Sequence, residues 1–302
     1  MTTSNATENS AEIDMTMHPS PRAVLRQLKQ SLLEQLELHP GCHWYALIDG
    51  AQLPDIVGQL GGRLLDVPKR CLFEDSTEED PSEVAPYLLQ FDAAEARQRV
   101  ITYTRAHVLD SHAVSWLASP LNLPDLAQRL SVRFDATLSE NMEVLFRYYD
   151  TRILSILPAV LSTEQSTEFF SIAHGWWYPD RDGVLQSHAC AFTDRDAFVA
   201  PILISQAQED AILEAAFPDT VLGALREEYG DLLVGMGRGE QHAFVLRQLD
   251  KTKALGTVAI INIVRYCIVA LTEGEDFADH APWRDKIAAI KSGSLTMKDL
   301  LS

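Results

Sequence analysis

The chain has 302 residues, of which 46% are hydrophobic and 23% are charged, a composition typical of soluble globular proteins rather than of disordered or membrane-embedded chains. Its 43 acidic and 25 basic residues give a formal net charge of -18, which repels nucleic-acid phosphates and anionic lipid surfaces. Nucleic acid is therefore excluded as an expected partner. A basic protein would be attracted, although the same acidity also favours solubility.

The chain length lies near the size at which one hydrophobic core divides into two. Residues 1–20 are polar and predict a flexible tail, residues 21–192 predict an α/β lobe, and residues 193–302 predict an all-α lobe. The N-terminus lacks the basic and apolar regions of a secretory signal. The longest apolar run, 255–271, contains an asparagine and an arginine and predicts a buried helix rather than a membrane span. We therefore expect a cytoplasmic protein without membrane insertion.

In the first lobe, a helix over 23–38 is followed by alternating strand and helix patterns that close with a hairpin. The predicted strands are 44–48, 71–73, 87–91, 113–118 and 143–149, the helices are 53–60, 93–104, 124–137 and 152–161, and the hairpin joins 175–178 to 184–191. This alternation predicts a central mixed sheet flanked by helices, partly parallel because crossover helices link its strands.

In the second lobe, the apolar spacing is helical throughout. The predicted helices are 205–216, 220–233, 240–253, 255–272 and 282–291. Pro218 separates the first two helices, which we expect to form a hairpin against the last three. The glycines of segment 235–239 lack the preceding strand and the following G-K-[ST] of a phosphate loop, so this segment predicts a flexible helix connector.

The segment Met142 to Leu154 combines strand and helix signals. Side chains of a strand alternate between its two faces, which places Phe146 and Tyr148 toward the core and Arg147 and Tyr149 on the opposite face. The opposite face is then either covered by a helix or exposed to a partner.

Asp150 occupies the expected N-cap position of the helix that follows this strand. Arg147 and Arg152 flank Asp150 closely enough to form a charge-assisted pair with it. The pattern therefore predicts a braced strand, cap and helix without chemistry of its own.

Two groups of carboxylates are candidates for chemistry. Asp49 and Gly50 end the first strand, where a carboxylate can face a ligand crevice; alternatively, Asp49 caps the next turn and Gly50 supplies a positive φ. The acidic run 74–80 could bind a metal or act as acid and base, but its spacing does not match an EF-hand and favours a solvated loop. A hydrolase using both groups is one alternative function.

Other residue types give no catalytic pattern. Asp110, Ser111 and His112 are triad residue types, but sequence neighbours rarely form a triad and no G-x-S-x-G elbow surrounds the serine. The four cysteines are scattered, and the histidines lack metal-ligand spacing. We expect no catalytic residue, no metal, no cofactor and no enzymatic activity.

Trp176 and Trp177 belong to a dense aromatic group on a predicted strand. Large aromatic side chains are usually mostly buried, which favours core packing. Neighbouring side chains on a strand point to opposite faces, however, so at least one of the group is also a candidate for the surface or for the interface between the lobes.

The segment Met142 to Leu154 resembles the L-F-R-F-Y-D-P-R-V-L signature of the type VI secretion effector adaptors, or effector chaperones, a family first catalogued as a domain of unknown function. Thr151 and Tyr148 replace the proline and the phenylalanine usual in that signature. Four further blocks of the family pattern occur in the expected order: W-Y-A-L-I-D-G-A at 44–51, C-L-F-E at 71–74, A-P-Y-L at 85–88 and F-F at 169–170.

The resemblance implies a non-catalytic adaptor that binds a cognate toxin effector and loads it onto the VgrG spike protein for delivery. An immunity protein, an acidic inhibitor of a basic toxin, is the second alternative to this function. Because aromatic and arginine side chains are the usual interface anchors, the expected partner-binding residues are Arg147, Tyr149, Arg152, Trp176 and Trp177. The expected structural signature comprises Asp49, Gly50, Phe146 and Asp150.

Overall fold

The structure is a computed structural model that describes residues 20–53, 55–73, 84–109 and 111–301. Three sequence predictions lie outside these residues: the tail except for its last residue, the acidic run 74–80, and Asp110 of the triad-like tripeptide.

Nine strands and ten α-helices occur in the described residues. The strands are β1 His43–Asp49, β2 Lys69–Cys71, β3 Pro86–Gln90, β4 Val114–Ser119, β5 Asp135–Thr137, β6 Glu143–Leu145, β7 Gly175–Pro179, β8 Leu185–His188 and β9 Ile202–Leu203. The helices are α1 Pro21–Leu38, α2 Ile56–Gly61, α3 Ala94–His107, α4 Leu123–Val132, α5 Thr151–Val160, α6 Thr163–Phe169, α7 Gln206–Tyr229, α8 Arg238–Lys253, α9 Ile260–Glu273 and α10 Trp283–Lys291.

The predicted architecture of an α/β lobe followed by an all-α lobe is confirmed. Six strands form the central sheet in the order β2-β3-β1-β4-β7-β8, and β6, β5 and β9 form a smaller sheet. Every neighbouring pair in the central sheet is antiparallel, so the expected parallel part of that sheet is wrong. The one parallel pair in the described residues, β5 with β9, lies in the small sheet. Helices α2 and α3 each connect two strands that run in the same direction but are not neighbours, because an antiparallel strand lies between them.

The central strands are buried on both faces. All six residues from Trp44 to Asp49 and every residue of β4 are buried, because helices cover the sheet. The helix α1 begins at a Ser20 N-cap with Pro21 in its first turn, and its buried leucines pack on the sheet. These local signals explain why the first strands and helices agree with the sequence prediction.

The long helix α7 differs from the prediction of two helices in a hairpin. It continues through Pro218, although an internal proline removes a hydrogen bond and costs about 3 kcal/mol. Packing at both ends of the helix offsets this cost: Ile212 contacts the first hydrophobic core, whereas Val221 and Leu225 lie in the second. The helix α7 therefore joins the two lobes.

The two lobes have separate hydrophobic cores, and the boundary between them lies later than predicted. Ile202 and Ile204 belong to the first core, so the α/β lobe extends beyond residue 192. Helices α8 and α9 pack against the second half of α7. No helix in the described residues is both long enough and apolar enough to span a bilayer.

Candidate partner-binding site

The signature segment Met142 to Leu154 is attached to the end of β1 through Asp49. The Asp49 carboxylate is fully buried and accepts hydrogen bonds from Ala51 N at 3.1 Å, Gln52 Nε2 at 2.8 Å and Arg147 Nη2 at 3.2 Å. Burial raises the pKa of Asp49, and the Gln52 hydrogen bond and the Arg147 charge oppose that rise. Asp49 thus connects two segments 98 positions apart in sequence.

Gln52 and His112 connect the same segment to the start of β4. His112 N donates to Gln52 Oε1 at 3.3 Å, and Thr151 N donates to His112 O at 2.9 Å. Burial lowers the pKa of His112 to about 4, and the nearby charge of Arg152 contributes to this shift. The imidazole is therefore neutral at physiological pH.

Asp150 caps α5 and holds Arg152 at the same time. Its carboxylate accepts from Arg152 N at 2.9 Å, from Arg152 Nε at 3.0 Å and from Arg152 Nη2 at 2.6 Å. The hydrogen bond to Asp150 raises the pKa of Arg152. The predicted N-cap and the predicted brace from Arg152 are both confirmed, whereas Arg147 instead pairs with Asp49.

A pocket of about 220 Å³ opens beside this pair, between α5, the β7–β8 turn and α7. Its walls carry two acidic and two basic side chains among small and aliphatic ones. The lining residues are Asp150, Arg152, Ile153, Ile156, Arg181, Ala215, Ala216, Asp219 and Thr220. Arg181 of the turn forms an ion pair with Asp219 of α7. Both lobes therefore contribute to the pocket.

The β7–β8 turn also packs against the first turn of α8. The Asp182 carboxylate lies so close to Gly239 that a Cβ atom there would collide with it. The glycine segment 235–239, predicted to be a flexible connector, thus contains one glycine that a contact between the lobes requires.

Two of the five predicted partner-binding side chains are accessible. The Arg147 side chain is 47% exposed with its guanidinium 5.6 Å from the centre of the Tyr149 ring, and the Arg152 side chain is 35% exposed at the pocket. Both remain candidates for contact with a partner.

The other three, Tyr149, Trp176 and Trp177, are buried in the core. This agrees with the core packing favoured for the two tryptophans, and none of the three rings is accessible to a partner. The strand β6 ends at Leu145, and the following turn directs both Tyr148 and Tyr149 inward.

The two tryptophans are held by neighbours in the core. Trp176 Nε1 donates to Ser115 Oγ at 3.0 Å, and the Trp177 ring lies over Gly175, where a Cβ atom would collide with it. The central sheet is covered on both faces, which is why strand alternation exposes neither ring.

The structural signature residues have clear roles. Phe146 is buried against Phe169, and Asp49 caps the short 3₁₀ turn that follows β1, as one of the two hypotheses required. Gly50 is not among the described glycines with positive φ, so that part of the prediction is wrong. Gly50 N donates to Ala85 O at 3.1 Å, and a Cβ atom on Gly50 would collide with this oxygen.

The arrangement suits recognition of charged or polar groups. Asp49, Asp150 and Asp219 are each paired with an arginine, and Asp49 does not line the pocket. Within the described part of the chain, no group of three or more histidine, cysteine, aspartate or glutamate side chains could hold a metal ion. A partner group entering the pocket would meet Arg152, whose hydrogen bonds also fix the start of α5.

Sequence reasoning missed Gln52, Arg181 and Asp219. Gln52 lies three positions after Asp49, a spacing that allows a side-chain bond back to a cap. The Arg181 and Asp219 pair joins a hairpin loop to a helix 38 positions later, and no local signal marks it.

Comparison with protein families matches a segment that contains part of this site. Residues 44–168 match the family model described as Domain of unknown function (DUF4123). The matched segment contains Asp49, Arg147, Asp150 and Arg152, but ends before β7. No curated protein and no solved structure matches the chain.

Proposed function

We propose that this protein is a non-catalytic adaptor of the type VI secretion system, which binds a cognate toxin effector in the bacterial cytoplasm and loads it onto the VgrG spike protein. The observation that carries this proposal is the DUF4123 match over residues 44–168, since that family is associated with type VI secretion effector adaptors.

The geometry supports a binding role. The signature segment uses its charges to fasten β1, β4 and α5 together, and this gives a rigid platform that leaves Arg147 and Arg152 partly exposed. Arginine side chains held in place in this way lose less conformational entropy on binding, which favours their use as interface anchors. The net charge of -18 favours association with a basic partner.

The test is co-purification of the tagged protein with the toxin encoded beside it and with the spike protein, from cells that express all three. We expect the toxin to be captured and toxin secretion to be lost when the gene is deleted. Capture of neither protein would refute the proposal.

Two further measurements separate the adaptor from the alternatives. An immunity protein would protect recipient cells from the toxin, whereas an adaptor is required in the cell that delivers it. A hydrolase acting through Asp49 would lose its activity in Asp49→Asn even when the variant is folded. For an adaptor, we expect toxin delivery by this variant to fall only in proportion to the amount of folded protein that is lost.

We call the partly exposed surface around Arg147 and Arg152 the seam. Binding there is tested with Arg147→Ala and Arg152→Ala, each compared with Arg265→Ala in the helical lobe. We expect the two seam variants to reduce toxin or spike capture and the control to leave it unchanged. Equal capture by all three variants would remove the seam from the proposed interface.

A further inference from the structure

A second concave surface lies in the helical lobe, between α7, α8 and the residues that lead into α9. We call it the α7–α8 groove, and its volume is about 440 Å³. Most of its lining is aliphatic or aromatic. The apolar side chains that form it are Leu213, Phe217, Pro218, Leu246, Leu249, Val258 and Ile263.

Several of these apolar side chains are exposed to solvent. Leu213 is 61% exposed and Val258 is 79% exposed, and Ile261 beside the groove is more than half exposed. Scattered single apolar residues on a surface are ordinary, but a contiguous set lining one concavity marks an interaction site. The groove therefore presents apolar surface that another molecule can remove from water.

The walls of the groove are preformed. The first wall, α7, is fixed in the second core by Val221 and Leu225. At the end of α8, a turn in which Gly256 has φ 74° returns the chain, with Thr257 N donating to Thr252 O at 3.2 Å, so that Val258 reaches the groove. A partner binding here would not need to pay for ordering these walls.

The charges at the groove indicate what kind of partner fits. Glu214 and Asp250 line it against a single base, Lys253, and Asp210 lies one turn before Glu214 on the exposed surface of α7. A second copy of this chain would bring the same acidic side chains and a net charge of -18 to this surface, which disfavours self-association. Basic flanks on the partner would be complementary.

We infer that the α7–α8 groove docks a basic amphipathic helix of the carried protein, with the apolar face of that helix in the groove and its lysines or arginines beside Glu214 and Asp250. A helix adds a third member to the α7 and α8 pair and presents apolar side chains at the spacing i, i+3, i+4 and i+7. That the carried protein is a toxin effector rests on the function proposed above. The basic and amphipathic character of the docked helix rests only on the lining of the groove.

The direct test measures binding of a fluorescein-labelled peptide of about 18 residues, about five helical turns, with leucines on one face and lysines at its edges. A scrambled peptide of the same composition serves as the ligand control. Full-length protein is titrated in fluorescence anisotropy at low and at physiological salt. We expect saturable binding of the amphipathic peptide only.

Five variants, two of them controls, locate the site on the protein. Leu213→Ser and Val258→Ser are expected to weaken binding about tenfold each, because each removes an aliphatic side chain that the docked helix covers. Val234→Ser, at a valine that is 80% exposed but outside the groove lining, is the matched control. Glu214→Lys should weaken binding more at low salt than at high salt, whereas Glu227→Lys makes the same charge change elsewhere on α7.

Capture of the adjacent toxin by the same variants separates the two proposals. If the wild type and the Leu213→Ser and Val258→Ser variants capture the toxin equally, the groove inference is wrong and the adaptor function stands. If the peptide binds in the groove but the wild type captures neither the toxin nor the spike protein, the adaptor function is wrong and the docking chemistry stands. Sedimentation measures whether the wild type forms a dimer. A dimer that both groove substitutions abolish would assign the groove to self-association and overturn the inference.

Discussion

The buried ion pair between Arg133 and Asp196 holds the segment that leads into the helical lobe. The Arg133 guanidinium is fully buried and donates five hydrogen bonds: one each to Arg129 O, Glu168 O and Phe169 O, and two to the Asp196 carboxylate at 2.7 and 2.8 Å. All five N–H donors of the side chain are thereby satisfied. Removing Asp196 would leave two of them unpaired inside the protein.

We expect Asp196→Ala to reduce the free energy of unfolding of the α/β lobe by about 3 kcal/mol. Removing one partner of a buried ion pair costs about 3–5 kcal/mol, because the remaining charge stays buried. The Asp196 side chain is 22% exposed, so water can reach part of the vacated space and the lower end of this range applies. Arg133→Met should cost a similar amount, because it removes hydrogen bonds to three backbone carbonyls, each worth about 1 kcal/mol.

The double variant is the sharper measurement. Arg133→Met with Asp196→Ala removes both charges, so its cost should fall short of the sum of the single variants by about 2 kcal/mol. Urea unfolding followed by tryptophan fluorescence reports mainly on this lobe, because Trp44, Trp116, Trp176 and Trp177 all lie in its core. Additive costs would refute the argument.

The control for the single variant is Asp194→Ala, because Asp194 is an exposed aspartate of the same segment. Arg129 donates to the backbone carbonyl of Asp194, so the substitution keeps this acceptor. We expect a change within about 0.5 kcal/mol for this surface substitution. A loss below about 1 kcal/mol in Asp196→Ala would also contradict the estimate, because an exposed ion pair contributes that little.

The pair also predicts a dependence on pH. Burial would raise the pKa of Asp196, but the hydrogen bond and charge of Arg133 outweigh it and hold the pKa below the ordinary 3.8. The folded state therefore keeps the carboxylate ionised, which adds stability above the unfolded pKa that is lost as the pH falls through the folded pKa. We expect the difference between wild type and Asp196→Asn to shrink below about pH 4, and a difference independent of pH would contradict this.

Three further predictions concern close contacts and buried histidines. Gly239→Ala should lower the free energy of unfolding by about 1 kcal/mol because it displaces the β7–β8 turn. Gly223→Ala, at a helical glycine with open space around it, should raise that free energy by up to about 1 kcal/mol. Equal effects of the two substitutions in urea unfolding would contradict the contact between the β7–β8 turn and α8. Gly50→Ala should cost about 1–3 kcal/mol in the same assay because its Cβ meets a backbone oxygen that cannot move away, and a neutral result would show that the strand end relaxes. Burial lowers the pKa of His112 and of His188 from 6.5 to about 4. As the pH falls below 6.5, the unfolded state therefore binds protons before the folded state does, and each histidine should remove about 2 kcal/mol of stability at about pH 5. His188→Phe should flatten this loss between about pH 7.5 and 5, and an unchanged pH profile would contradict the assignment.

Local signals were sufficient for elements whose ends are marked by caps or breakers. The helix α5 begins after the Asp150 cap, as predicted, and the hairpin of β7 and β8 lies where its turn residues indicated. The helix α4 was predicted to reach residue 137, but it ends at Val132. The side chain of Arg133, the next residue, is buried where it bonds Phe169 O and the Asp196 carboxylate, and the chain then enters β5. The end of the helix is thus set by acceptors that lie far away in sequence.

The candidate site was predicted only in part, because some of its contacts are local in sequence and others are not. The pair of Asp150 and Arg152 is local and could be anticipated from the cap pattern. The pairs of Asp49 with Arg147 and of Arg181 with Asp219 join residues distant in sequence, so the alternation of a single strand gave no information about them. Alternation left open whether Tyr149 is covered or exposed, and its burial follows from the turn at residues 148–149, after β6 has ended at Leu145.

The sequence by itself determined the two-lobe composition, the approximate positions of the central-sheet strands, the Asp150 cap, and the segment that the DUF4123 model matches. The tertiary structure alone decided that the central sheet is antiparallel, that α7 runs unbroken between two cores, and that Trp176 and Trp177 are interior. The physical reason is the range of the interactions. Caps and breakers act over a few residues, whereas strand direction, tolerance of Pro218 and burial of an aromatic ring depend on which distant surfaces pack together.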